Sequence, residues 1–334
     1  VSEARPQAFS VRALTKRYDD TLTTAVHEVS FTVSSGSAAA LVGPPGAGKT
    51  TILRMLLGLV EPSAGTASVG GRGSGADRGG AVVGAVLSPR GLHPARTVGD
   101  HLRVYAAALG APARRAREVL EMTGLTEQAR LRCAELTTGQ QTRTALATAL
   151  LGAPPLLVLD DPAVGLESAE QNWLHEFLRG HTRRGGTVLL TSQSLAAVLP
   201  VADRLMVLSE GAVVYQGTPG ALRRSHPDRL VVAVSPPASP IALATMLAAH
   251  GFTDAVIRSD GRLAVANATE AQIIAAAAAA SVRLDSIVAD LIHPDRVLAS
   301  LTRTATARPI APYSGPAPGQ LPQPSTSMPY GMPR

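Results

Sequence analysis

The eight residues Gly43-Pro44-Pro45-Gly46-Ala47-Gly48-Lys49-Thr50 match the phosphate-binding pattern G-x-x-x-x-G-K-[ST] without a gap. This constrains the fold, because such a loop works only where a buried strand hands over to the N-terminus of a helix. Both flanks agree: Ala38 to Val42 is an unbroken apolar run, as buried strands are, and Thr51 to Leu59 carries apolar residues at helical spacing. The order strand, glycine turn, helix predicts an α/β chain.

Each residue of the loop has a separate chemical use. Gly43, Gly46 and Gly48 let backbone N–H groups close around phosphate oxygens, and the helix start that continues into Thr51 adds positive partial charge. Lys49 can reach β and γ phosphates, and Thr50 can ligate magnesium. Lys49 and Lys16 are the two lysines of a chain whose other cationic side chains are arginines. A thin ammonium fits inside a phosphate loop where a planar guanidinium would not.

At 334 residues the chain has room for two domains. Its longest strongly apolar stretches, Ala81 to Leu87 and Ile273 to Ala280, fall well short of the ~20 residues of a membrane-spanning helix. The start shows no charged segment followed by an apolar one, so export is not expected. The single Cys133 has no internal disulfide partner, which suits a reducing cytoplasm and equally an ordinary core residue. The net charge of +6 comes from dispersed arginine clusters with few aromatics, so no nucleic acid partner is expected.

Along the chain, Phe9 to Leu14 and Val26 to Val33 read as an antiparallel entry, with Tyr18 and Asp19-Asp20 in the loop between them. Gly65 to Gly73 reads as a strand and turn, and Ala81 to Leu87 as a core strand. Helical spacing recurs over Val98 to Leu109, Ala113 to Met122 and Gln140 to Leu151, giving an all-helical insert over about 89–152. Leu156 to Leu159 and Val188 to Thr191 read as buried parallel strands around a helix over Ser168 to Arg179, and Arg204 to Tyr215 as a hairpin turning at Glu210-Gly211. Segments between Leu230 and Ala280 alternate between strand and helix, so a small α+β domain is expected over 226–303. Residues 304–334 are rich in Pro, Gly, Ser and Gln and are expected to be a disordered tail.

A second half of the site lies downstream. The run Leu156 to Leu159 ends in Asp160 and Asp161; the sequence alone allows two readings, carboxylates set near a magnesium shell and a γ phosphate, or plain turn starters after a strand. Between the two motifs, Leu136-Thr137-Thr138-Gly139-Gln140 opens a helix. This order resembles the ATP-binding subunit of an ABC transporter over residues 9 to about 220. The resemblance implies an ATP-binding domain over 1–225, with ATP and Mg²⁺ as cofactors. It further implies a homodimer or heterodimer of such subunits, in which Thr137, Gly139 and Gln140 complete the partner's site. Tyr18 then stacks on adenine, a core tyrosine being the plainer alternative. Residues 228 to about 303 look like the C-terminal domain of bacterial drug-exporter ATPases of the daunorubicin type. Separate transmembrane permease subunits, docked beside Ser88 to Leu109, are the implied partners, and a cytoplasmic, membrane-peripheral location follows. Soluble relatives in translation or DNA repair fit less well, since they usually carry two cassettes or a long coiled-coil insert.

Four departures from the family pattern cluster around hydrolysis. Asp161 stands for the catalytic glutamate, Ser88 for a glutamine near magnesium and water, Gln193 for the switch histidine, and Glu167 for an aspartate that communicates across the dimer. Thr138 also replaces a signature glycine. The binding residues, Asp160 included, are retained, whereas a displaced general base alone costs ~10² to 10⁴ in rate. The expectation is firm Mg-ATP binding with slow turnover, most simply driving export. The alternative is a nucleotide-gated regulatory or structural subunit without useful ATPase activity, paired with a competent ATPase.

Overall fold

The computed structural model describes residues 6–18, 24–73, 83–235, 239–258, 260–290 and 293–306. The chain opens with β1 (Gln7–Arg17) and β2 (Thr24–Ser34), antiparallel, with Phe9 opposite Val33 and Val11 opposite Phe31. Then come β3 (Ala38–Val42), α1 (Lys49–Leu56), β4 (Ala64–Val69) and the short β5 (Arg72–Gly73). A first sheet takes the order β2-β1-β4-β5. Its register slips between Val11 and Leu14, where Ala13 adopts φ 45°. Gly65 lies against that bulge at φ 80°, and a Cβ there would strike the Ala13 carbonyl, so only glycine fits. Asp19 and Asp20 lie outside the described residues.

The central sheet gains β6 (Val83–Val86), β7 (Leu156–Leu159), β8 (Thr187–Ser192), β9 (Arg204–Ser209) and β10 (Ala212–Gly217), ordered β10-β9-β3-β8-β7-β6 among the described residues. Five of these strands run parallel, and β10 returns antiparallel through Glu210 and Gly211, both at positive φ, as expected of the hairpin. The apolar runs are unbroken because both sheet faces are covered. Ala38, Ala40 and Val42 of β3 face one core, and Ala39 and Leu41 face the other, where Phe9, Leu14 and the α1 residues Ile52 and Leu53 pack. Residues 81 and 82 of the expected strand lie outside the described set.

The helical insert contains α2 (Val98–Ala108), α3 (Arg114–Thr123) and α4 (Thr138–Ala149). Thr97 caps α2 by accepting from Asp100 N, and Gly124 ends α3 at φ 65°. Arg115 donates to the carbonyls of Leu150 and Leu151, tying α3 to the end of α4. α5 (Ser168–Arg183) runs four residues past its expected end, carrying buried Leu174 and Leu178. Cys133 is buried in this core, where burial pushes its thiol upward and leaves it unreactive.

After α6 (Pro219–Ser225), a third sheet forms from β11 (Arg229–Val234), β12 (Ala255–Ile257), β13 (Leu263–Ala266) and β14 (Leu284–Asp290), in the order β12-β13-β11-β14. Its core is its own: α7 (Pro240–Ala249) and α8 (Glu270–Ala279) bring Leu243, Leu247 and Ile273 onto Val232, Leu263 and Val265. A final helix, α9 (Pro294–Thr306), leaves this unit. It packs on β9 and β10, burying Val297 and Leu298 in the core of the central sheet. It also carries helix three residues into the segment expected as tail, while residues 307–334 lie outside the described set.

Candidate functional site

Three loops converge because β3, β7 and β8 are parallel neighbours, and ligands of such sheets bind at the carboxyl ends of the strands. β3 delivers Gly43 to Thr50, β7 delivers Asp160 and Asp161, and β8 delivers Ser192 and Gln193. Gly43 N donates to Ser192 O at 3.1 Å, closing the loop against β8.

Glycine is obligatory in the loop for different reasons at each position. Gly46 and Gly48 adopt φ 79° and 92°. A Cβ on Gly48 would stand 2.5 Å from Ala25 O, and one on Gly43 would strike Leu208 O, while nothing lies within 4 Å of that point on Gly46. At Gly46 the left-handed backbone, rather than space, favours glycine. No side chain caps α1, leaving its first N–H groups available to an anion.

Lys49 is 5% exposed, and its ammonium donates to Gly43 O at 2.8 Å and Pro44 O at 3.0 Å. Burial pulls its pKa below the usual lysine value, opposed by the nearby charges of Asp161 and then Asp160. A cation is thus held across the mouth of the loop.

Asp160, also 5% exposed, accepts from Thr50 Oγ1 at 2.9 Å (Oδ2) and 3.1 Å (Oδ1), and from Thr191 Oγ1 at 2.7 Å. Thr191 Oγ1 in turn accepts from Asp161 N at 2.8 Å. Asp161 sits at φ 44°, its Oδ2 accepts from Gln193 Nε2 at 3.4 Å, and its Oδ1 is buried without a partner among the described residues. Thr50 Oγ1 and the Asp160 carboxylate form an all-oxygen donor set, which suits a hard cation such as Mg²⁺; the partnerless Asp161 Oδ1 is left for a water or ligand. The cradle of glycines and the buried ammonium suit a polyphosphate. The residues present therefore fit Mg-ATP.

Other candidates stand apart. Ser88 is exposed, two residues beyond Val86, whose carbonyl accepts from Asp160 N at 2.7 Å. Thr51 is half-buried on α1. Tyr18 is 40% exposed, with Lys16 Nζ 5.2 Å from its ring centroid, so it is not a core tyrosine. Thr137 caps α4, accepting from Gln140 N at 3.3 Å, while Gln140 Oε1 accepts from Thr137 N at 3.0 Å. Gly139 is buried where any Cβ would strike the Glu170 carboxylate, and Glu170 accepts from the backbone N of Glu167. Thr138 is exposed on the first turn without positive φ, so its backbone does not need glycine. Among the described residues, no hydrogen bond joins Thr137 to Gln140 with the phosphate loop or with Asp160 and Asp161.

Thr191 was missed by sequence reasoning. It lies in the run Leu190-Thr191-Ser192-Gln193, and a buried hydroxyl at the end of an apolar strand was the available signal.

The sequence profile of the family described as ABC transporter matches residues 26–164. The Nod factor export ATP-binding protein I of Burkholderia orbicola (strain AU 1054) is 39% identical over 221 residues, covering 64% of this chain and 72% of that protein. Its namesake from Rhizobium sp. (strain N33) is 37% identical over 225 residues, covering 66% and 73%. A solved ATP binding subunit of an ABC transporter is 27% identical with a TM-score of 0.59, over 66% of this chain and 93% of that one. A dimeric ATP-binding cassette in a post-hydrolysis state bound to ADP and Pi is 23% identical with a TM-score of 0.58, over 63% and 98%, a likeness of fold.

Proposed function

Because the chain belongs to the ATP-binding subunits of ABC transporters, we propose that it binds Mg-ATP between Gly43–Thr50 and Asp160, turns it over slowly, and drives export through separate membrane-spanning subunits. One observation carries the reading: Asp160 is gripped by two hydroxyls, Thr50 and Thr191, beside a loop whose lysine is already buried. The binding half is therefore preorganised.

In the proposed mechanism, Lys49 exchanges its bonds to Gly43 and Pro44 for phosphate oxygens, and the α1 N–H groups close on the same phosphates. Thr50 and Asp160 would hold magnesium, which when bound neutralises charge on the β and γ phosphate oxygens. Asp161 takes the proton of the attacking water, with Gln193 orienting its carboxylate. Aspartate is a methylene shorter than glutamate, and a neutral amide at Gln193 stabilises developing negative charge less than a cation. Those two features are why turnover is slow. By the family resemblance, Tyr18 would support the adenine, Ser88 would lie near magnesium and the attacking water, and Thr51 would extend the phosphate contacts. By the same resemblance, Thr137, Gly139 and Gln140 serve the nucleotide of a second subunit.

Among the described residues no helix is long and apolar enough to cross a membrane; as in the family, separate membrane-spanning subunits supply the pathway and hold this subunit at the inner membrane face. Export is favoured because the Burkholderia and Rhizobium relatives are named for it. Residues 1–225 form the ATP-binding domain and 226–303 a C-terminal unit whose last helix returns to the first domain.

Titration with a fluorescent ATP analogue, with and without Mg²⁺, tests the site. The proposal expects Mg-dependent binding lost in Lys49→Ala and steady-state ATPase above the Lys49→Ala background. Equal binding in both proteins contradicts the site. Tight binding with turnover equal to Lys49→Ala, with and without the membrane partner, replaces the enzyme reading with a nucleotide-gated regulatory subunit.

A further inference from the structure

The segment 192–195 is held from both sides. Ser192 O accepts from Gly43 N of the phosphate loop, and Ser192 Oγ accepts from Ser194 N at 3.1 Å. On the far side stands Asp295, in the first turn of α9. Its Oδ1 accepts from Ser194 Oγ at 2.9 Å and from Leu195 N at 3.1 Å. These are the two residues directly after Gln193, which donates to Asp161.

α9 is a firm anchor for that grip. Val297 and Leu298 are buried under β9, and Ser209 Oγ donates to the Thr302 carbonyl at 3.4 Å. The same helix follows β14, so it links the third sheet to the nucleotide-facing end of β8. At 3.4 Å the Gln193 contact is already long, and a small backbone rotation at residue 193 would break it. One carboxylate oxygen that accepts from a hydroxyl and a backbone N–H fixes that backbone more firmly than a neutral acceptor would.

We propose that Asp295 is a positioning residue for the nucleotide site, holding Gln193 toward Asp161 and making the C-terminal unit a determinant of turnover. The inference rests on the ATPase reading above. Asparagine keeps one acceptor oxygen without the charge, and alanine removes both contacts, so the two substitutions grade the effect.

The test uses the full chain as wild type, Asp295→Asn, Asp295→Ala, Gln193→Ala and the Gln193→Ala/Asp295→Ala double variant. Turnover, ATP affinity and hydrogen exchange of the peptide over residues 190–197 are measured on each. Asp295→Ala is expected to lower kcat about ten-fold with ATP affinity changed less than about two-fold, Asp295→Asn falling between. In the Gln193→Ala background the same change is expected to cost nothing further, and exchange of the peptide should quicken in Asp295→Ala. Equal kcat, or an equal fractional loss in both backgrounds, overturns the proposal, because a general loss of stability would not depend on Gln193. Should the wild type not turn over ATP, the ATPase reading fails by that result alone. Exchange then decides the contact: faster in Asp295→Ala supports it, and unchanged exchange overturns it.

Discussion

Gln193 Nε2 reaches Asp161 Oδ2 at 3.4 Å, while the other oxygen of that carboxylate is buried without a hydrogen-bond partner among the described residues. The contrast with Asp160, which accepts from two hydroxyls at 3.1 Å or less, separates the site into two halves. One carboxylate is fully engaged and ready for a cation. Its neighbour is held by one long contact, and in the proposed mechanism it is the group that takes the proton of the attacking water.

Thr191→Val removes the donor to Asp160 and the acceptor of Asp161 N while keeping shape. Leaving a buried backbone N–H and a carboxylate short of a partner costs about 1–3 kcal/mol. Chemical denaturation should register that loss, and Mg-ATP affinity should fall with it. An unchanged denaturation midpoint would mean that the Thr191 hydroxyl does not organise the two aspartates.

Gly139→Ala drives a methyl into the Glu170 carboxylate, which packs over the start of α4. The overpacking should cost about 1–3 kcal/mol. Glu170→Ala should relieve most of that cost when combined with Gly139→Ala, and a double-mutant cycle of denaturation midpoints reads the coupling. Additive losses would mean that the contact at Gly139 is not with Glu170.

His101 is 1% exposed in α2, its Nδ1 has no partner among the described residues, and burial, then Arg96 and His93, hold its pKa below the usual histidine value. The folded state therefore keeps the imidazole neutral where the unfolded chain protonates it. Stability from this residue is complete above the unfolded histidine pKa and is lost as pH falls below it, since the unfolded state then binds more protons. His101→Leu should lose less of its urea midpoint than wild type between about pH 7.5 and about pH 5.5. Parallel losses in the two proteins would remove His101 as the cause.

The parts of the fold legible in sequence were those written in local pattern. The gapless loop from Gly43 to Thr50 fixed a strand and a helix on either side, and the apolar runs at Leu156 and Val188 gave parallel strands because both their faces are buried. The resemblance groups Ser88, Asp161 and Gln193 in the hydrolytic half of the site; in the structure Gln193 Nε2 donates to Asp161 Oδ2 at 3.4 Å, while Ser88 is exposed. What stayed hidden depends on distant partners. β14 lies at the edge of the third sheet with every residue exposed or half-buried, so no buried face writes a period-2 pattern in its sequence. α9 carries Val297, Leu298 and Leu301 at helical spacing, yet nothing local says that they bury against β9, about 90 residues earlier. The grip of Asp295 on Ser194 was invisible for the same reason. Thr191 was overlooked because a threonine ending an apolar run reads as a strand residue, and only the neighbouring carboxylates make its hydroxyl matter.

The central claim is that nucleotide binding is intact while water activation is limited by the short carboxylate at position 161. The most direct test measures Mg-ATP affinity and steady-state turnover together in wild type and Asp161→Glu. The account predicts affinities within about two-fold and a turnover about ten-fold or more higher in Asp161→Glu, because the added methylene brings the base within reach of the water. Turnover in Asp161→Glu equal to or below wild type, at unchanged affinity, would contradict it.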